Sequence, residues 1–157
     1  INKMKKIIYI IISLLISKET ISQTNYIPTG YWKYINGVDT IEFYFKVGEM
    51  NVGGISTPVL LGFHKYIKNG SLLENSIPFI NSDYSQNKFT ILIFGTESNM
   101  VRNDGHIKDL TLNNERYIIL KKINPTTISV DLTYIQGVRN NRPYGFTMPR
   151  HFILTRQ

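Results

Sequence analysis

Hydrophobic and polar residues alternate along most of this chain with a period of two, which is the spacing of strands half-buried against a core. In residues 39–47, Ile41, Phe43, Phe45 and Val47 fall on one face and Glu42, Tyr44 and Lys46 on the other. A second aromatic run, Gly30-Tyr31-Trp32-Lys33-Tyr34-Ile35, precedes it, and Asn36-Gly37 stands between the two. Asn and Gly tolerate positive φ best, so the pair predicts a two-residue hairpin turn. Residues 59–68 and 71–75 repeat this arrangement around Asn69-Gly70.

Further strands are expected over 88–94, 105–112, 116–123, 126–134 and 151–156. The clearest is 126–134, where Ile128, Val130, Leu132 and Tyr134 oppose Thr127, Ser129, Asp131 and Thr133. One apolar and one polar face marks an antiparallel sheet. Gly48, Gly53 and Gly54 before Pro58 read as a loop or short bulged edge over 48–57. Residues 24–29 read as a loosely held lead-in, and 76–87, 95–103 and 135–149 as connections. Beyond residue 23 no stretch keeps a helical period. The expected fold is all-β: an antiparallel meander of about eight strands closing as an up-and-down barrel of lipocalin (calycin) type, with a β-sandwich as the alternative.

The first residues follow a different pattern. Met4-Lys5-Lys6 is a positive start, residues 7–16 are apolar apart from Tyr9 and Ser13, and Thr20, Ser22 and Gln23 form a cleavage region. This predicts a signal peptide over 1–23, residues 1–3 being upstream sequence, followed by one domain over 24–157. The apolar run is too short to cross a bilayer as a mature helix; the alternative is an uncleaved N-terminal anchor. The expected location is periplasmic or secreted, without stable membrane insertion after cleavage. The absence of cysteine excludes disulfides, a thiol nucleophile and a lipid-anchored cysteine.

Charge adds little beyond this. Lys3, Lys5, Lys6, Lys18 and Glu19 belong to the leader, so its removal lowers the formal charge from +7 to +4. The remaining basic residues are scattered, with only Arg139, Arg142 and Arg150 loosely grouped, and no nucleic-acid partner is expected.

Candidate chemistry is sparse. His64, His106 and His151 lie on separate predicted strands without metal-ligand spacing, so they are expected at the surface or lining the barrel, and no metal or cofactor is expected. No Ser occupies a G-x-S-x-G elbow. Asp104-Gly105-His106 reads as turn chemistry. The carboxylates fall on polar faces or in turns, none in an apolar setting, so an enzyme is not expected. The surplus is aromatic. If Trp32, Tyr34, Phe43, Phe45 and Phe63 line one concavity, they hold a small apolar or amphipathic ligand, with 135–149 as a gate. If inward rings simply fill the barrel, the domain is a structural or interaction protein of the cell envelope that works through its loops.

Gly30-Tyr31-Trp32-Lys33-Tyr34-Ile35-Asn36-Gly37 resembles the G-x-W-x-Y-x-N-G opening of a family of secreted Bacteroidota proteins known as domain of unknown function 6705. Residues 62–70, including Lys65-Tyr66-Ile67-Lys68-Asn69-Gly70, are similar to its middle hairpin. Gly105-His106-Ile107-Lys108-Asp109 is similar to its G-x-I-x-D element. Gly145-Phe146-Thr147-Met148-Pro149 and Phe152-Ile153-Leu154-Thr155-Arg156-Gln157 are similar to its closing strand. The resemblance implies an exported β domain and brings no activity or site. Gly30-x-Trp32 also resembles the opening of lipocalins, whose Trp closes the barrel floor, but the other loop motifs and the cysteines of that group are missing.

Overall fold

The computed structural model describes residues 26–94, 103–134 and 145–157. The predicted signal peptide and most of the connections 95–103 and 135–149 lie outside the described residues.

The alternating runs form β1 (Gly30–Asn36), β2 (Asp39–Val52), β3 (Ile55–Lys68), β4 (Ser71–Asn75), β5 (Ile91–Phe94), β6 (Asp104–Asp109), β7 (Asn114–Asn124), β8 (Thr127–Tyr134) and β9 (His151–Arg156). All pairings are antiparallel. Strands β2, β1, β9, β8, β7, β6, β5 and β3 follow one another around the sheet, and β3 returns to β2, closing an eight-stranded barrel. β4 is the extra strand. It pairs with the second half of β3, from Lys65 to Lys68, while β5 pairs with Val59–Gly62 of the same strand. The expected meander therefore holds except at β4, because β3 is long enough to serve two partners on one edge.

Two turns take the conformation their residues favour. Asn69-Gly70 has φ of 51° and 75° between the partners Lys68 and Ser71, and Gly53-Gly54 has 60° and 82° between Val52 and Ile55. The first turn departs from expectation. Asn36 pairs with Asp39, so the central residues are Gly37 and Val38, and only Gly37 has positive φ, at 60°. One glycine in the first central position is enough for a turn of the II′ kind.

The stretch 48–57 is not a loop. It is the tip of a long β2–β3 hairpin, because Gly53-Gly54 supplies the turn and the ladder runs unbroken from Thr40↔Ile67 to Val52↔Ile55. This arm outruns β1, whose pairing with β2 stops at Gly30↔Phe45. Val47, expected inward, is accordingly 49% exposed. The lead-in is also held more firmly than expected: Ile27 is buried, and the Trp32 indole N–H donates to the Pro28 carbonyl at 3.1 Å.

The interior is filled by Trp32, Ile41, Phe43, Phe45, Leu60, Tyr66, Ile91, Ile93, Ile107, Ile118, Leu120, Ile128, Val130, Leu132, Phe152 and Leu154, together with Ile27 and Met148. Ile128, Val130 and Leu132 face inward as their period requires. A second, smaller core lies outside the barrel wall, where Val59, Leu61, Phe63 and Phe89 meet Ile77, Ile80 and Tyr84 from the β4–β5 connection.

Candidate functional site

The five aromatic residues expected to share a concavity do not converge on one. Trp32, Phe43 and Phe45 are buried in the interior, and Tyr34 packs partly buried against them. The rings occupy one another's space: Phe43 meets Phe45 and Phe152 edge-on at centroid distances of 5.8 Å each, and Tyr34 meets Phe152 at 5.6 Å. A Cβ added at Gly62 would lie 2.7 Å from Ile91 Cβ and 2.8 Å from Phe45 Cε1, so the missing side chain is space the core already uses. Phe63 is on the opposite side of the wall. Leu60, Gly62, His64 and Tyr66 of β3 alternate inward, which sends Leu61 and Phe63 to the outer core.

The same alternation carries a polar group inside. His64 is fully buried, and both ring nitrogens are bonded: Nε2 to Glu74 Oε2 at 2.6 Å, and Nδ1 to Thr90 Oγ1 at 2.8 Å. Ser76 Oγ accepts from His64 N–H at 2.7 Å, donates to His64 O at 3.1 Å and lies 3.0 Å from Thr90 Oγ1. Glu74 is 2% exposed and also accepts from the backbone N–H groups of Leu110 and Thr111 at 3.2 and 3.3 Å. Burial pushes the Glu74 carboxyl up. The hydrogen bond and charge of His64, with contacts from Asp109 and Thr111, outweigh that and hold it at about 2.

Asp109 extends this cluster to the end of the barrel. It is 1% exposed. Its Oδ1 accepts from Leu112 N–H at 2.7 Å and holds the β6–β7 turn. Its Oδ2 accepts from the backbone N–H and the hydroxyl of Thr147 at 2.5 and 2.6 Å. Thr147 thereby fastens the segment before β9, whose Met148 is buried in the core and whose Phe146 lies under the Arg116 guanidinium at 5.6 Å. The part of the expected gate that is described acts as a plug. Thr90, His64 and Glu74 form a chain of hydroxyl, imidazole and carboxylate, with the two ring nitrogens in the reverse of the hydrolase order, and all three are at most 4% exposed.

The expectation that no carboxylate has an apolar setting is thus corrected at Glu74 and Asp109, while His64 lines the barrel, one of the two places expected for the histidines. The signal for Asp109 is legible: Ile107 faces inward, and Asp109 stands two residues further on the same strand. The same count from Leu60 reaches His64. Glu74 has no such signal. Its neighbours Leu72 and Leu73 are 57% and 41% exposed while it is buried, the reverse of their hydrophobicity. Only the pairing of β4 with β3, which sets Glu74 opposite Tyr66, turns it inward.

On the outside, the wall carries shallow depressions. One of about 320 Å³ is lined by Tyr31, Trp32, Lys33, Glu42 and Gln157, and there Lys33 already pairs with Glu42 at 3.2 Å. Another, of about 250 Å³, is lined by Phe89, Thr90, Leu92, His106, Lys108 and Glu115. Among the described residues no three His, Asp or Glu side chains gather as metal ligands.

No curated protein and no solved structure matches the chain. A family model does, over residues 4–157, and it describes a family of unknown function, DUF6705.

Proposed function

The chain belongs to DUF6705, a family of unknown function, and from that premise we propose that it is an exported, non-catalytic domain with a filled barrel that works by contact through its outer surface. The observation that carries this reading is the mutual packing of Phe43, Phe45, Phe152 and Tyr34 across the interior. Where rings touch rings, a ligand has to displace core, at the cost of packing and of the apolar area already buried. The buried polar cluster supports the same view. It closes one end of the barrel with satisfied hydrogen bonds, and a fully bonded internal network rigidifies and specifies a core.

Export rests on the lysine-led apolar pattern of residues 4–16 and on the resemblance to secreted Bacteroidota proteins. A non-catalytic role rests on the burial of His64 and Glu74.

Native mass spectrometry of the protein recovered from an exporting host tests both parts. The expected result is a bare chain beginning at Gln23 or Thr24. A reproducible extra mass that disappears on denaturation, and that Phe43→Ala reduces, would return the interior to a ligand. An intact N-terminus on the recovered protein would overturn the cleaved leader.

A further inference from the structure

We propose that the depression on the outer wall over β5, β6 and β7 is a binding site for a small amphipathic monoanion, an aromatic or aliphatic acid. This site is separate from the barrel interior and does not depend on how the interior is filled.

Its floor is apolar and firmly held. Phe89 is 8% exposed and stacks on Tyr84 at a centroid distance of 5.4 Å with the planes 14° apart, and Leu92 continues the surface. A flat apolar floor of this kind suits the body of an aromatic or aliphatic acid. The rim is charged. Lys108 Nζ lies 5.2 Å from the Phe89 ring centroid and donates to Asn87 Oδ1 at 3.2 Å. That positions the ammonium over the floor and leaves two of its three donors for a ligand.

Glu115 stands directly across from Lys108 in the β6–β7 register, yet among the described residues no ion pair joins them. Both charges are therefore offered to the depression. Lys108 supplies the counter-charge for one anionic group, and Glu115 repels a second. The seam depression beside Trp32 differs on this point, because its lysine is already paired with Glu42.

A second observation points to a missing partner at the same wall. His106, between the rings of Phe94 and Tyr117 at 6.0 and 5.9 Å, leaves its Nδ1 buried without a hydrogen bond. Such an atom carries a desolvation cost that a neighbouring acceptor or donor would relieve. Thr90 completes the wall, and its hydroxyl is anchored inward on His64.

The test uses the purified protein and three probes of one shape: phenylacetate, the dianion phenylmalonate and neutral 2-phenylethanol. The readout is the ring-proton NMR signals of the histidines, with His151 on β9, outside the depression, as the internal reference. Phenylacetate is expected to shift the His106 signals saturably and leave His151 unmoved. Lys108→Gln is expected to weaken this binding about tenfold, and Glu115→Gln to admit phenylmalonate. The proposal is overturned if His106 does not shift, if Lys108→Gln binds phenylacetate as well as the parent protein does, or if 2-phenylethanol binds equally. A dispersed spectrum for each variant confirms its fold, and the Glu115 variant tests the charge argument independently of the lysine.

Discussion

At the residue scale the molecule turns on His64 and Glu74. An ionised carboxylate sealed inside a barrel is stable only because the imidazole and two backbone N–H groups face it. His64→Leu leaves that charge without its counterpart and is expected to cost about 3–5 kcal/mol. The double variant His64→Leu/Glu74→Leu is expected to recover much of the loss, because it removes the charge along with its partner. Urea unfolding of the two variants and the parent decides this. Acid tests the same pair. The folded carboxyl is held at about 2, below its ordinary 4.5, so its contribution is complete above pH 4.5 and is lost as pH falls toward 2. Urea midpoints measured from pH 6 to pH 2 should fall more steeply for the parent than for Glu74→Gln, which has no charge to lose there.

At the scale of elements, close approach of backbones does what side chains cannot. β6 lies against β5 at Gly105, which pairs with Ile93, and a Cβ there would land on the Leu92 carbonyl oxygen. Gly105→Ala must push the two strands apart. The expected cost is about 3 kcal/mol, the upper range for overpacking, with the loss of amide protection in hydrogen exchange centred on Ile91–Phe94. The long β2–β3 hairpin makes the opposite point. Beyond Met50, which packs against the outer core, its tip stays paired without a core beneath it, since Gly53-Gly54 supplies the turn and the ladder supplies the bonds.

At the scale of the whole molecule, closure rests on its narrowest seam. β1 and β9 share only the pairs Trp32↔Arg156 and Lys33↔Thr155, extended by Gln157 N–H to Tyr31 O at 2.9 Å and by the Arg156 guanidinium to Thr29 O at 3.2 Å. Removing Arg156 and Gln157 is expected to open the barrel there. Limited proteolysis should then cut near β1 while the β2–β3 hairpin stays protected, because the hairpin draws on thirteen paired positions of its own.

The sequence by itself determined the class of fold. Period-two alternation, the Asn-Gly pairs and the absence of a helical period sufficed to place most strands, since these signals are local: each depends on a residue and its near neighbours. It also set Ile41, Phe43 and Phe45 on one face of their strand, and Ile128, Val130 and Leu132 on one face of theirs. His64 and Asp109 follow the same count, but where a residue departs from it only the tertiary structure decided its side. Glu74 is inside because β3 is long enough to pair with both β4 and β5, and Phe63 is outside because the inward face of β3 is the one bearing His64 and Gly62. Alternation divides a strand into two faces, but only the partner strands and the closing of the barrel decide which face points in. The depression around Lys108 has the same origin, for it joins residues of the β4–β5 connection to three strands that meet only when the sheet is folded.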